Sequence, residues 1–343
     1  MRGVARYALT SKHTKENAMP DFNVLIPDDV DRRALDILSI AEGIRITAPG
    51  KLTQEQLLVA VPEADGMLIR SGVKITPEIF AAATNLKVVA RAGVGVDNVD
   101  LAAATAHGVV VVNTPGGNTI STAEHTFGLM LALARSLPQG DASMRAGKWD
   151  RKSFLGIELR GKTLGLIGCG RIGQAIAIRA KAFEMTVIGF DPYLSDEAFN
   201  KSGIIKVDLE TLYAQSDFIS LHTLLNNETR GLINATSIAQ MKDGVRILNA
   251  ARGALINDAD LAAALKSGKV AGAGLDVFEP EPPAADNPLI GLPNVIHTPH
   301  LAASTSDAQI VVALEAAELV RDFLLTGVAQ NVCNPAVLEK KSS

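Results

Sequence analysis

The stretch "TLGLIGCGRIGQAIAIRAKAF", from Thr163 to Phe183, constrains the fold more than any other part of the chain. An apolar run without alternation leads through glycines at 168, 170 and 173 into a segment with helical spacing. Such a run reads as a strand buried on both faces. Gly168 permits a tight turn, Gly170 lets a ligand approach the backbone, and Gly173 lets the next helix pack closely on the strand. The helix N-terminus then offers amide N–H groups and partial positive charge to a phosphate. Arg171 adds a formal charge there. The next strand candidate, "TVIGFD", ends at Asp191. A carboxylate at that place accepts hydrogen bonds from ribose hydroxyls and repels a 2′-phosphate, so NAD is expected rather than NADP. Asp191 also has a local reading, as the start of the "DPY" turn. Cys169 reads as a small loop residue with no redox role.

The same strand and helix rhythm runs through the chain. Before the glycine turn, "FNVLI" (22–26), "MLIR" (67–70), "KVVAR" (87–91) and "VVVVN" (109–113) are strand candidates. Helical segments lie between them: "TPEIFAAAT" has Thr76 as cap and Pro77 at its first position, and "DLAAATAHG" stops at Gly108. From Thr163 on, strands are expected at 163–168, 186–191, 217–222, 246–250, 270–276 and 294–298. Apolar strands separated by helices indicate parallel sheets covered on both sides. The expectation is therefore an α/β chain of two doubly wound domains, one flavodoxin-like and one of Rossmann type. Residues 20–117 and 301–343 form the first and 118–300 the second, with 1–19 a disordered extension outside the fold. The apolar "FGLMLALA" helix between the domains is expected to bury in a dimer or a hinge.

Bulk properties exclude several classes. A formal net charge of -4 and a pI of about 5.9 argue against a general nucleic-acid binder. No apolar run is long enough to span a bilayer, so no membrane partner is expected. The two cysteines, Cys169 and Cys333, lack metal-ligand spacing, and no metal is expected. Together these suit a cytoplasmic protein.

In a doubly wound sheet, ligands bind beyond the carboxyl ends of the strands. Those ends carry His222 and Thr223, Ala250 to Arg252, Asp276, and "HTPHLAAST" from His297. An arginine such as Arg252 can grip a carboxylate through two parallel hydrogen bonds. Of the two histidines flanking Thr298-Pro299, His297 lies within the strand pattern and reads as packing. His300 is delivered at the sheet edge.

The run "RAGVGVDNVD" (91–100), "GCGRIG", "LHT", "NAARG", "GLDVFEPEP" and "PHLAAST", in this order between Asp21 and Leu325, resembles the D-isomer-specific 2-hydroxyacid dehydrogenases. The resemblance implies a catalytic set of Arg252, Glu281 (rather than Glu279) and His300. It implies a first domain for substrate and a second for NAD. Cofactor contacts are expected from Val94, Gly168, Gly170, Arg171, Ile172, Gly173, Asp191, Thr223, Ala250, Arg252, Asp276 and His300. Substrate contacts are expected from Arg70, Ser71, Arg91, Gly93, Gly95, Arg252 and His300. Arg151, in the basic "KWDRK" run, is expected near the partner's site in a homodimer.

His300 would act as base, since a histidine titrates near ~6.5 and both takes and gives a proton at cellular pH. Glu281 would favour its charged form and fix its tautomer. Arg252 would hold the substrate carboxylate. Arg70 and Arg91 supply cations that a phosphorylated acid needs, and the resemblance implies 3-phosphoglycerate, oxidised to 3-phosphohydroxypyruvate as the first step of serine biosynthesis, as the expected substrate. Leu224 stands where the family often has proline and Ala302 where it often has glycine. No regulatory domain, and so no serine feedback through one, is expected. The alternatives are a glyoxylate or hydroxypyruvate reductase, a D-lactate dehydrogenase (disfavoured by Arg70 and Arg91), and an NAD-sensing corepressor-like binding protein. A methyltransferase would explain the glycines but not Arg252, Glu281 and His300.

Overall fold

The structure is a computed structural model that describes residues 5–6 and 21–339. It divides into two compact units. Residues 119–305 form one, and the described residues on either side form the other.

The outer unit begins with β1 (Ala5–Arg6) and continues with β2 (Phe22–Leu25), β3 (Ile44–Thr47), β4 (Gly66–Ile69), β5 (Val88–Arg91) and β6 (Val110–Asn113). Strands β2 to β6 form a parallel sheet in the order β3-β2-β4-β5-β6, the flavodoxin-like arrangement. Every residue of β4 is buried, as a central parallel strand covered on both faces requires. Strand β3 is an addition to the four expected from sequence. Its residues alternate between half-buried and exposed, with Arg45 and Thr47 outward. A short edge strand with one polar face lacks the continuous apolar run that betrays a central strand. The helix Pro77–Ala82 follows Thr76 with Pro77 in its first turn. The helix Leu101–Ala106 is capped by Asp100, which accepts from the N–H of Ala103.

The second unit contains β7 (Thr163–Ile167), β8 (Thr186–Phe190), β9 (Ile205–Lys206), β10 (Phe218–Leu221), β11 (Val245–Asn249), β12 (Val270–Leu275) and β13 (Val295–His297). The parallel order is β9-β8-β7-β10-β11-β12-β13. This is the 3-2-1-4-5-6 Rossmann order with one strand added, and the order reverses between β7 and β10. Six strands were expected here. The one not foreseen, β9, has only two residues, both exposed, and so no periodicity to read. The helix Thr119–Arg135 spends its apolar face inside this unit, against β12, rather than in a dimer or hinge. Glycines in β12 admit it: a Cβ at Gly274 would lie 3.2 Å from Leu129 Cβ, and one at Gly272 3.2 Å from Leu133 Cδ2.

The chain then returns to the outer unit. The helix Ser306–Thr326 buries Ala313, Ala316, Ala317, Val320 and Phe323 against the first sheet. Gly66 allows the approach, since a Cβ there would stand 3.1 Å from both Val320 and Leu324. Strand β14 (Val328–Ala329) pairs antiparallel with β1. Two residues of the expected extension therefore join a sheet, because β14 presents open backbone groups to pair. The rest of 1–19 lies outside the described residues.

Beyond β14 the chain covers the edge of β6, where an unpaired strand would otherwise stand open. Cys333 N–H donates to Val111 O at 2.8 Å. The buried Asn334 accepts from Val111 N–H at 2.9 Å and donates to Val109 O at 2.9 Å. Asn334→Ala should cost about 3 kcal/mol, since two buried backbone groups lose their partners. Urea unfolding followed by circular dichroism checks this; an unmoved midpoint would refute it.

Candidate active site

The glycine turn links β7 to the helix Arg171–Ala182. Gly168 has φ +94°, and a Cβ there would stand 2.5 Å from the carbonyl of His222. Only glycine lets the turn lie against the end of β10, where Thr223 follows. A Cβ at Gly173 would meet Gly168 O at 2.4 Å, so the helix seats directly on the turn. A Cβ at Gly170 would meet nothing within 4 Å, and Gly170 is exposed. No side chain caps this helix. An open backbone surface at an uncapped helix N-terminus suits a dinucleotide pyrophosphate, with Arg171 and Ile172 beginning the helix behind it. The residues present therefore fit NAD.

Asp191 follows β8, and each of its carboxylate oxygens accepts a backbone hydrogen bond. Its Oδ2 accepts from Cys169 N–H at 2.9 Å, which joins it to the glycine turn. Its Oδ1 accepts from Tyr193 N–H at 3.0 Å, which makes the local turn. Each carboxylate oxygen keeps acceptor capacity beyond these bonds. Burial, and then the charge of Asp191, pushes the Cys169 thiol up to about 12. It remains a thiol at any physiological pH. Burial pushes His222 down to about 3, so this imidazole is neutral, with Nε2 2.7 Å from Ser220 Oγ.

At the end of β11, Asn249 shapes the turn that carries Ala250 and Arg252. Its side chain accepts from Ala251 N–H at 3.0 Å and donates to Arg252 O at 2.8 Å. Arg252 Nη1 donates to Ala251 O at 2.6 Å. The next residue has to be glycine, because a Cβ at Gly253 would stand 2.1 Å from the carbonyl carbon of Phe278. The arginine turn thus rests on the acidic loop that follows β12.

That loop presents Glu281. Its Oε1 accepts from Phe278 N–H at 3.0 Å, and its Oε2 lies 2.7 Å from His300 Nδ1. A carboxylate cannot donate, so Nδ1 carries the proton and the neutral ring has its lone pair on Nε2. The His300 side chain is 51% exposed. Its backbone is left-handed, at φ +55°. His297, by contrast, stacks on Phe278 and its Nε2 lies 3.0 Å from Leu289 O, as a packing residue should.

Asp276 is wholly buried, and its polar atoms are engaged within the protein. Its carboxylate accepts from Thr298 Oγ1 at 2.5 Å, Leu301 N–H at 2.7 Å and Ala302 N–H at 2.8 Å. His125 Nε2 lies 3.2 Å from it. Burial by itself would raise the Asp276 carboxyl; the donors of His125, Thr298, Leu301 and Ala302 outweigh it and hold the group below its ordinary value of 3.8. With no exposed surface, it offers a ligand nothing to touch in this arrangement. His125 and Thr298 were not singled out from sequence, because a lone histidine in a helical pattern carries no motif.

In the outer unit, Arg70 and Ser71 follow β4, and Arg91 ends β5. Asp28 Oδ2 accepts from the N–H groups of Arg70 and Gly72 at 3.0 and 2.9 Å, and so holds that loop. Arg70 Nη1 donates to Asp29 O at 2.9 Å. The Arg91 guanidinium lies over Gly93, where a Cβ would stand 1.5 Å from Nη1. Thr114 ties the turn by accepting from Gly93 N–H at 2.7 Å, and Asn113 donates to Val94 O at 2.6 Å. Gly95 is half-buried in the same turn. Arg151 lies in the exposed stretch after the helix Leu137–Arg145.

Residues 127–302 match the family described as D-isomer specific 2-hydroxyacid dehydrogenase, NAD binding domain. The chain is 50% identical over 295 residues to the D-3-phosphoglycerate dehydrogenase of Archaeoglobus fulgidus, a match covering 86% of this chain and 56% of that protein. Among solved structures, the TT0316 protein of Thermus thermophilus gives a TM-score of 0.81 at 38% identity, over 91% of this chain and 100% of that one. A glyoxylate reductase from Paecilomyes thermophila gives 0.83 at 32% identity, over 92% and 99%. The chain spans only 56% to 60% of the length of the curated relatives it matches.

The environment of Asp276 sets a pH dependence. Its folded value lies below 3.8, so its contribution to stability is fully present above that value and lost as pH falls through the folded one. Asp276→Asn should destabilise the protein at neutral pH, with the gap to the parent closing below about pH 4. Urea midpoints measured between neutral pH and the acid limit check this; a gap that stays constant would refute it.

Proposed function

The chain belongs to the D-isomer-specific 2-hydroxyacid dehydrogenases, and from that premise we propose that it oxidises D-3-phosphoglycerate to 3-phosphohydroxypyruvate with NAD. The observation that carries the chemistry is the 2.7 Å pair of His300 Nδ1 and Glu281. With that proton held toward the carboxylate, Nε2 of His300 takes the proton of the substrate's C2 hydroxyl. Glu281 stabilises the imidazolium that results. Acid–base help of this kind is worth roughly 10²–10⁴ in rate. Arg252 grips the C1 carboxylate and polarises the C2 oxygen. NAD, when bound, supplies the hydride acceptor.

Gly168, Gly170, Arg171, Ile172 and Gly173 would hold its pyrophosphate, and Asp191 its adenine ribose. Val94, Thr223 and Ala250 complete the cofactor contacts in this reading. The phosphate of the substrate is read by Arg70 and Arg91, with Ser71 and the backbone of Gly93 and Gly95 beside them. Sequence identities of 48% to 50% to D-3-phosphoglycerate dehydrogenases support this choice. The solved glyoxylate reductase supports a second reading, reduction of glyoxylate or hydroxypyruvate.

We further propose a cytoplasmic homodimer. Among the described residues no helix is long and apolar enough to cross a membrane. The helix Leu137–Arg145 buries none of its residues, and Leu137, Met144, Trp149 and Leu155 are exposed around it. A second copy covering this surface would bring Arg151 to its site. Sedimentation should give the dimer mass; the monomer mass at micromolar concentration would overturn this.

An NAD(H)-coupled panel of 3-phosphoglycerate, glycerate, lactate, 2-hydroxyglutarate and their keto forms decides the substrate. The largest kcat/KM should fall on the 3-phosphoglycerate pair, and a preference for unphosphorylated glyoxylate or hydroxypyruvate would select the second reading. His300→Ala should lower turnover by roughly 10³ or more while NADH fluorescence still reports binding. Normal turnover in that variant would sink the assignment of the base.

A further inference from the structure

His125 lies on the helix Thr119–Arg135, and none of the chemistry above uses it. We propose that His125 is a positioning residue that, through Thr298 and Asp276, fixes the turn carrying His300. The proposal rests on the reading of His300 as acid–base.

The proton count gives the clamp its direction. Asp276 is buried and ionised, so its carboxylate only accepts. Thr298 Oγ1 stands 2.5 Å from Asp276 Oδ1, so the single hydroxyl proton of Thr298 points there. Thr298 Oγ1 is then an acceptor toward His125 Nε2, 3.0 Å away. His125 must therefore carry its proton on Nε2, which it shares between Thr298 and Asp276 Oδ1. One imidazole N–H thus satisfies the inner side of the clamp.

The outer side is the turn. Three successive backbone N–H groups converge on Asp276. His300 donates to its carbonyl at 2.9 Å, and Leu301 and Ala302 donate to its carboxylate at 2.7 and 2.8 Å. His300 occupies the left-handed region at φ +55°, which a residue with a Cβ holds only under outside restraint. That conformation sends the ring toward Glu281. Removing the N–H of His125 leaves Thr298 and the Asp276 carboxylate short of a donor, and the carboxylate then holds the turn in a less defined place.

Two variants of His125 separate the donor from the volume. His125→Phe keeps the ring and removes the N–H; His125→Gln keeps an amide N–H at similar reach. His125→Phe should lower kcat by about 10²-fold, as a displaced base does, with NADH affinity unchanged. His125→Gln should recover most of that loss. Amide exchange at Leu301 and Ala302 should quicken by about tenfold in His125→Phe, the scale of one lost hydrogen bond. Should His125→Phe fail to fold, Thr298→Val, nearly equal in shape, should give the same exchange and the same fall in kcat. Unchanged exchange at Leu301 and Ala302 overturns the clamp. Faster exchange with wild-type kcat overturns positioning. Gln behaving like Phe assigns the effect to packing and also overturns it. His300→Ala is the control: wild-type turnover there sinks the acid–base reading and this proposal together. An inactive His300→Ala beside an inert His125→Phe sinks only this proposal.

Discussion

Parallel pairing is the constraint on which the rest depends. Every strand of the second unit's sheet runs the same way, so every carboxyl end meets one edge. Parallel strands cannot be joined by tight hairpins, and the crossovers that join them cover both faces with helices. That cover makes the strands apolar and pushes polar chemistry to their ends. Asp191, His222, Arg252, Asp276 and His300 all stand just past strand ends for this reason. Glycine appears where two of these turns must touch, as Gly168 against His222 and Gly253 against Phe278.

Within that edge, the structure places one buried carboxylate where a designer would hesitate. A buried charge costs several kcal/mol unless donors surround it. Asp276 has them from a threonine, a histidine and two backbone amides, and its own carbonyl takes a third. The result is a rigid turn beyond β13, so the left-handed His300 is held by secondary bonds rather than by its own preference. Glu281 is braced in the same spirit, one oxygen on Phe278 N–H and the other on His300. Such support holds the pair in one geometry, since a loose side chain samples several rotamers.

Much of the fold was legible because burial on both faces leaves a strong mark. β4, with all four residues buried, reads from "MLIR" to within one residue of its observed span, Gly66–Ile69. In the two parallel sheets, the strands without a sequence signal are those where the mark is absent: β3, with one exposed face, and β9, exposed throughout. The fate of the "FGLMLALA" helix was misjudged for a different reason. Its apolar face is plain, but its partner surface on Gly272 and Gly274 lies far along the chain, as in the contact of Leu129 with Gly274. The candidate site residues that the sequence displays are those with a motif: the glycine turn, Arg252, Glu281 and His300. Asp28, His125 and Thr298 act by hydrogen bonds to distant residues, and single-residue patterns do not display such bonds.

The sequence by itself determined the alternation of strand and helix, the three glycines with their separate tasks, and which polar residues fall at strand ends. These are local properties, set by periodicity and by what a backbone without a Cβ permits. Only the tertiary structure decided which of those residues meet. It joined Glu281 to His300 across 19 positions and His125 to Thr298 across 173. It also turned Asp276 from a residue facing the ligand edge into the buried anchor of the histidine turn. Hydrogen bonding depends on distances of a few tenths of an ångström and on which atom already holds the proton. Neither quantity exists until the chain has closed on itself.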